Sequence, residues 1–242
     1  MTILSVNVNK IALLRNSRGR NFPDVLLFVR RLIGMGVKGI TVHPRQDERH
    51  VTRQDVVDIT ALLREFPGLE FNIEGYPSPE FMDLIVRARP AQCTLVPDAP
   101  DQLTSDHGWD VRVNASLLRN VLEQLRGLGV RSSLFLDPSV ESVEQVREIG
   151  PDRIELYTEA YARAFGTPQE AAVFESYRAA AQRASELGIG LNAGHDLDLH
   201  NLARFLQIPA ILEVSIGHAL VVESLEQGID NVVRQYLAIT GE

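Results

Sequence analysis

Residues 39–50 join a short apolar strand to side chains that can bind anions and carry protons. Ile40 and Val42 favour β-structure, and Pro44 ends the strand pairing. Side chains alternate along a strand, so His43 and Arg45 share the face opposite Ile40 and Val42. An imidazole that titrates near neutral pH beside a guanidinium can hold an anion and transfer a proton. The alternative is an edge strand with a solvated face and a charged loop.

Three further side chains in strand-like runs have types suited to proton transfer or charge stabilisation. His195 could transfer protons near pH 7. Glu70, expected low in the barrel and partly desolvated, could have a raised pKa and act as a base. Glu155 could orient a substrate amine or stabilise developing positive charge.

Two sets of residues are suited to holding a phosphate group. Residues 215–218 would follow the last strand, where backbone N–H groups at a helix start can bind an anion and Gly217 allows close approach. The second set is cationic and lies near the first two strands: Arg18, Arg45 and His50. His107 and His200 are expected at the surface instead.

Strand-like and helix-like runs alternate along the chain, so we expect parallel strands with helical crossovers. Strands are predicted at 3–9, 39–43, 69–74, 92–96, 131–136, 153–157, 188–194 and 211–217. Eight such units in 242 residues match an α/β (β/α)₈ TIM barrel with extra short helices, formed by a single domain of residues 1–242. The alternative is a doubly wound open sheet, but it usually has fewer strands, and no Gly-rich phosphate loop follows the first strand.

Three connections carry specific expectations. A polar, Arg-bearing loop is predicted at 10–20, and one long helix at 218–238. Residues 98–110 are long, polar and Gly-containing, so we predict a mobile lid in which Thr104 reports closure.

Composition and charge exclude several classes of function. The net charge is −8 and no basic stripe is present, so nucleic acid is not an expected partner. No apolar run reaches membrane-spanning length and no secretory signal is seen, so a cytoplasmic location without membrane contact is expected. One cysteine, Cys93, excludes an intrachain disulfide framework, and the six histidines lack metal-binding spacing, so no metal is expected.

In a barrel, the inward strand faces near the carboxyl ends form the active site. Polar residues on the inward faces of the first three strands would need partners, water or a ligand. Glu155, Asn192, His195 and His218 would lie at the same end. The alternative is a water-filled polar interior without catalysis.

With these residues the sequence resembles the pyridoxine 5′-phosphate synthase family of vitamin B6 biosynthesis. The matching segments run in the same order over nearly the whole chain: VNVNKIALLRNSRG at 6–19, GITVHPRQDERH at 39–50, LE at 69–70, CTLVP at 93–97, IELYT at 154–158, LNAGH at 191–195 and IGHA at 216–219.

The resemblance implies a cofactor-free barrel that forms homo-octamers from dimers. It implies condensation of 1-deoxy-D-xylulose 5-phosphate with 3-amino-2-oxopropyl phosphate to pyridoxine 5′-phosphate, phosphate and water. His43 and Glu70 are implied as bases, His195 as an acid and Glu155 as a transition-state stabiliser. The implied substrate contacts are Asn7, Asn9, Lys10, Arg18, Arg45, His50, Thr104, Asp196, Gly217 and His218.

The chain departs from the common family pattern at three places. Asn9 and Lys10 stand where many members have Asp and His, and Asp196 stands where Gly is common. The stretch 72–79 is longer than the commonest version, so Glu74 could share or compete for the role given to Glu70.

Two other functions remain open from the sequence. One is another phosphate-binding barrel enzyme, an aldolase or isomerase, although a Schiff-base aldolase would need an inward lysine on a mid-barrel strand. Lys10 and Lys38 are the only lysines. The other is a non-catalytic barrel that senses a phosphorylated metabolite; it would not need His43, Glu70 and His195 together.

Overall fold

Eight parallel strands close into a barrel in the computed structural model, which describes residues 1–98 and 105–242. Each strand pairs with the next, and β8 closes the barrel on β1 where Leu4 lies opposite Val214. The strands are β1 (Ile3–Asn7), β2 (Gly39–Val42), β3 (Glu70–Gly75), β4 (Gln92–Leu95), β5 (Arg131–Leu136), β6 (Arg153–Tyr157), β7 (Gly190–Gly194) and β8 (Ile211–Ile216). The predicted (β/α)₈ barrel is confirmed.

Helices follow the strands and cover the outside of the barrel. They are α1 (Asn9–Asn16), α2 (Val25–Gly34), α3 (Arg53–Leu63), α4 (Pro79–Ala88), α5 (Val111–Leu128), α6 (Val140–Val146), α7 (Glu159–Ala164), α8 (Glu170–Glu186), α9 (Leu202–Phe205), α10 (His218–Gln227) and α11 (Ile229–Thr240). Side-chain N-caps fix where several helices begin. Asp24, Thr52, Ser78 and Asp110 each accept a hydrogen bond from a backbone N–H of the first turn. Among the described residues, no helix has the length and apolar character needed to cross a bilayer.

The alternation of side chains along the strands divides the barrel into two environments. Leu4 and Val6 of β1 and Ile40 of β2 are buried in the apolar layer between sheet and helices. The opposite faces fill the interior with polar groups; Ser5, for example, shares a 2.7 Å hydrogen bond with Thr41. Burial of the outward face supplies the hydrophobic stabilisation, and the inward face is left for chemistry.

A polar network fills the amino-terminal end of the interior. Arg131 forms an ion pair with Glu70, and its Nε donates to Gln92 Oε1 at 3.0 Å. Arg153 Nη1 donates to Asn192 Oδ1 at 3.1 Å and to Glu213 Oε2 at 3.3 Å. These buried and partly buried groups therefore satisfy one another rather than awaiting a ligand.

Two predicted connections were wrong. The segment predicted as a polar loop after β1 contains helix α1, whose Ile11 and Ala12 are buried in the core. The single helix predicted at 218–238 is divided into α10 and α11 at Gly228, whose φ of 79° interrupts the helix.

Candidate active site

His43 and Glu74 meet at the carboxyl end of the barrel. His43 directly follows β2, and Glu74 is the next-to-last residue of β3. Both are buried, and His43 Nδ1 lies 3.8 Å from Glu74 Oε2. Burial raises the pKa of Glu74 to about 8, helped by the charge of Asp98, and burial and Arg45 lower the pKa of His43 well below its usual value. At neutral pH the pair is thus a neutral imidazole beside a protonated carboxyl group.

Glu70 does not lie at this site. It is the first residue of β3, at the amino-terminal end of the barrel, where its carboxylate pairs with Arg131. Glu70 and Glu74 are on the same face, and four residues of strand separate them by about 13 Å. Glu70 is therefore low in the barrel, as the sequence indicated, and Glu74 rather than Glu70 lies beside His43.

Glu155 is buried in the middle of β6, close to Glu74. Burial raises its pKa well above the usual value, the charges of Glu74 and Glu213 add to the increase, and a hydrogen bond with Thr94 opposes it. Gly194 on neighbouring β7 makes room for it, because a Cβ there would collide with the Glu155 carboxyl group. Glu155 is thus a second protonated carboxyl group at the site, next to Glu74.

His195 lies at a sharp corner just after β7. Its φ is 80° and that of Asp196 is 58°, which non-glycine residues seldom adopt. Thr158 holds the corner by donating from Oγ1 to the Gly194 carbonyl at 2.6 Å. The imidazole packs on the rings of Phe135 and Tyr157, with centroids 4.9 and 5.3 Å away. Burial lowers the pKa of His195 to about 4, so its ring is neutral at physiological pH.

The cations Arg45, Lys10 and Arg49 lie around His43 and His50. The pKa of His50 falls to about 4 because the ring is buried and because Arg45, Lys10 and Arg49 are near. The ring of His50 is 6.4 Å from that of His43. Arg45 is buried, and its Nη2 donates to Asp98 Oδ2 at 2.7 Å. This concentration of cations suits an anionic ligand.

Asn7 and Asn9 connect β1 to the active end of β2. Asn7 Oδ1 accepts from the Asn9 backbone N–H at 3.0 Å, and Asn9 Oδ1 accepts from the His43 N–H at 3.0 Å. Gly217 completes the contact, since a Cβ there would lie 3.0 Å from Asn7 Cβ. Asn9 needs only an acceptor oxygen for this contact.

The structure brings fewer of the remaining predicted residues together. Arg18 is exposed just beyond α1. Asp196 and His218 lie near each other at the exposed rim, where the charge of His218 opposes the rise in the pKa of Asp196 caused by burial. Thr104, and the rest of residues 99–104 in the segment predicted as a lid, lie outside the described residues. Beyond them, Trp109 is buried and donates from Nε1 to the Leu95 carbonyl at 2.8 Å.

Comparison with known proteins accords with this arrangement of groups. A sequence model of the family described as "Pyridoxal phosphate biosynthesis protein PdxJ" matches residues 4–242. The chain belongs to this family. It is 52% identical over 237 residues to a pyridoxine 5′-phosphate synthase of Bacteroides fragilis, covering 98% of each chain. It is 46% identical to the enzyme of that name from Leptospira biflexa, covering 99% of this chain and 97% of the relative.

Solved structures show the same fold at much lower identity. The tryptophan synthase A-subunit of Pyrococcus furiosus superposes with a TM-score of 0.67 at 13% identity, covering 98% of this chain and 97% of that chain. A thiamine phosphate pyrophosphorylase of the same organism gives 0.60 at 12% identity, covering 99% and 95%. These likenesses concern the barrel alone.

In this member of the PdxJ family, the residues that sequence reasoning missed act as supports. Thr158 fixes the His195 corner, and Asp98 joins Arg45 at the end of β4. The signal for Asp98 was available, because an acid immediately after a strand-ending proline must lie at the active end of a barrel. His107 and His200 are exposed, as predicted. Within 1–98 and 105–242, no three His, Cys, Asp or Glu side chains are arranged to hold a metal ion.

Proposed function

We propose that the chain is a pyridoxine 5′-phosphate synthase that condenses 1-deoxy-D-xylulose 5-phosphate with 3-amino-2-oxopropyl phosphate, releasing phosphate and water. Membership of the PdxJ family supports the overall reaction. The observation that carries the chemistry is the buried His43–Glu74 pair beside the cluster of Lys10, Arg45 and His50. It combines proton transfer with the binding of phosphorylated substrates.

The reaction needs repeated proton transfers between carbon, nitrogen and oxygen atoms. Neutral His43 accepts a proton from a substrate carbon or amine, and the protonated Glu74 returns one to a leaving oxygen. With a pKa of about 8, Glu74 is protonated at neutral pH and can donate its proton, and it regains a proton readily afterwards. Glu74 takes the role that the resemblance gave to Glu70.

Glu155 and His195 serve the charged intermediates. The amine and ketone first form an imine with loss of water, and its protonated form carries a positive charge. Glu155 gives its proton to the hydroxyl group that leaves as water, and the resulting carboxylate stabilises the positive charge of the protonated imine. His195, neutral in its buried position, donates an N–H bond to a substrate oxygen and so acts on the acid side.

Phosphate groups are held at two places around the pair. Arg45, His50 and Lys10 form the first, beside His43. The second is the turn at Gly217 and His218, where α10 begins and presents free backbone N–H groups. Asn7 and Asn9 shape the space between them, and Arg18, Asp196 and Thr104 remain predicted contacts at the rim.

A Schiff-base aldolase fits the structure less well. Lys38 lies at the amino-terminal end of β2 and pairs with Glu242 at 3.3 Å. Lys10 begins α1 beside His50. Neither amine lies on a mid-barrel strand, where an imine-forming lysine would be needed.

The decisive experiment is incubation of the purified protein with both substrates. Pyridoxine 5′-phosphate is followed by its absorbance, and inorganic phosphate by a coupled assay. We expect both products in equal amounts and neither when one substrate is omitted. Phosphate release without the ring product would indicate a different reaction. The octamer and the cytoplasmic location remain predictions of the family resemblance; light scattering of the purified chain tests the first.

A further inference from the structure

Asp98 connects the cationic cluster to His43 through one buried carboxylate oxygen. Oδ2 accepts from Arg45 Nη2 at 2.7 Å and from Ser105 Oγ at 2.7 Å. The same oxygen lies 4.0 Å from His43 Nε2. Oδ1 is buried and has no hydrogen-bond partner among the residues that the structure describes. The carboxylate thus stands between a phosphate-binding cation and the proposed base.

His43 lies between two carboxyl groups. Its Nδ1 faces Glu74 at 3.8 Å, and its Nε2 faces Asp98 at 4.0 Å. A carboxylate that accepts the proton of one ring nitrogen leaves the lone pair on the other and stabilises the imidazolium that forms. Here Asp98 is engaged with Arg45, whose charge lowers the pKa of His43. His43 is therefore a weak base in the empty site.

We propose that Asp98 is a positioning residue for His43. The Asp98 carboxylate is held by Arg45 before substrate binds, and it moves to accept a hydrogen bond from His43 Nε2 when a substrate phosphate binds Arg45. The proposal rests on the proposed function, because it takes Arg45 as a phosphate ligand and His43 as a base. A phosphate dianion offers a guanidinium more charge and more acceptor oxygens than a carboxylate does. A shift of about 1 Å then brings Asp98 within hydrogen-bond distance of Nε2.

The surroundings leave Asp98 room for this shift. It lines a cleft open to solvent together with Arg45, Tyr76 and Phe81, and among the described residues no hydrogen bond fixes its Oδ1. The titratable and charged groups around His43 come from several elements: Arg45, Arg49 and His50 after β2, Glu74 on β3, Asp98 after β4 and His195 after β7. Most are positive or neutral, so a new Asp98 contact would be a main cause of increased basicity.

The consequence is that phosphate binding and proton transfer are linked. His43 becomes a stronger base when a phosphorylated substrate is in place. An empty site, or one entered by a ligand without phosphate, keeps a weak base.

Nuclear magnetic resonance of full-length protein with labelled histidines tests the linkage directly. The His43 signal is assigned by its loss in His43→Gln, and its pH titration is recorded with and without saturating inorganic phosphate. In the wild type we expect phosphate to raise the midpoint by at least about one unit, as a newly engaged carboxylate does. In Asp98→Asn the rise should fall to less than half, because only the charge of phosphate itself remains.

Two results would overturn the proposal: an equal rise in wild type and Asp98→Asn, or no rise in wild type. The measurement needs no turnover, so it stands apart from the test of the proposed function. Glu80→Gln is the matched control, since Glu80 lines the same cleft but is exposed. It should titrate like the wild type.

Steady-state kinetics separates this role from a structural one. Asp98 competes with phosphate for Arg45, so Asp98→Asn should lower KM for the phosphorylated substrates while lowering kcat about tenfold. Asp98→Glu, which keeps a carboxylate, should recover part of kcat. A variant damaged only in structure would raise KM or lose folded protein, and that pattern would contradict the proposal.

Discussion

Glu70 and Glu74 show how two identical side chains on one strand face acquire different tasks. Glu70 neutralises Arg131 within the polar network at the amino-terminal end, and it is about a quarter exposed. Glu74 is buried beside His43, and burial raises its pKa to about 8. Depth along the strand, rather than residue type, sets the chemistry of each.

A pair of matched substitutions tests this assignment. Glu74→Gln should lower kcat by about 10²–10⁴-fold, because the amide cannot exchange a proton with His43. Glu70→Gln should leave kcat near that of wild type and lower the free energy of unfolding by about 1 kcal/mol, through the loss of a partly exposed ion pair. Steady-state assays and urea denaturation give the two readouts. The assignment fails if Glu70→Gln is the inactive variant.

Gly194 gives a second test at the same scale. Gly194→Ala places a methyl group against the Glu155 carboxyl group, so we expect Glu155 to be displaced and kcat to fall at least about tenfold. Gly127 on α5 is the control, since its Cβ would meet open space. Gly127→Ala should keep full activity and gain about 0.5–1 kcal/mol of stability from helix propensity. Normal activity in Gly194→Ala would mean that Glu155 tolerates another position.

At the scale of elements, α1 carries part of the site although it is short. Arg15 near its end forms a bidentate ion pair with Asp55 of α3 and also reaches the His50 carbonyl at 3.4 Å. Asp55 in turn belongs to the capping box with Thr52 that starts α3. The loop that bears His50 is thus held between two helices.

Removing this tether should weaken substrate binding more than turnover. Arg15→Met leaves Asp55 without its cation and lets the His50 loop move, so KM for the phosphorylated substrates should rise several-fold while kcat changes less than threefold. Arg31→Met is the control, because Arg31 pairs with Asp230 at an exposed site far along the chain. Unchanged KM in Arg15→Met would show that the His50 loop is positioned without α1.

The elements also show which properties a sequence can predict. The eight strands and their polar inward faces were predicted because a period of two is visible in residues such as Leu4, Ser5 and Val6. Glu70 was predicted low in the barrel, but its ion pair with Arg131 was not, because the alternation of side chains gives a face without giving the partner on another strand. Helix α1 was missed because buried Ile11 and Ala12 are too few to form a periodic pattern.

At the scale of the whole molecule, the barrel interior gathers acids and histidines that resist ionisation. Burial raises the pKa of Glu74 to about 8 and that of Glu213 to about 7, and it raises that of Glu155 as well. Burial lowers the pKa of His50 and His195 to about 4. The folded protein therefore prefers neutral groups over a range of pH where the unfolded chain is charged.

This preference predicts a stability maximum at mildly acidic pH. Above the ordinary glutamate pKa of 4.5, the unfolded chain loses protons that the folded carboxyl groups keep, so stability falls as pH rises toward about 8. Below the ordinary histidine pKa of 6.5, the unfolded chain gains protons that the buried rings refuse, so stability falls as pH drops toward about 4. The melting temperature should therefore peak between about pH 5 and 6.5.

Thermal denaturation over about pH 4–9 measures the curve, and Glu213→Gln supplies the comparison. That variant removes one buried acid, so its melting temperature should rise relative to that of the wild type as pH increases from 4.5 to 7. Below pH 4.5 the two curves should have the same slope, since Glu213 is protonated in both states there and the histidines are unchanged. A melting temperature that rises steadily from pH 5 to 8 would contradict the assignment of raised glutamate pKa values.

The acceptor role of Asn9 bears on how such a site changes over generations. The His43 N–H donates to a side-chain oxygen that asparagine and aspartate both possess. Their codons differ by one base, so a lineage can exchange the two without passing through a residue that lacks the contact. We expect Asn9→Asp to support normal turnover, and a gene carrying it to complement a deletion as well as the parent gene. Exchange between asparagine and aspartate at position 9 would then be neutral, and it could occur in either direction while the catalytic groups around it stay unchanged.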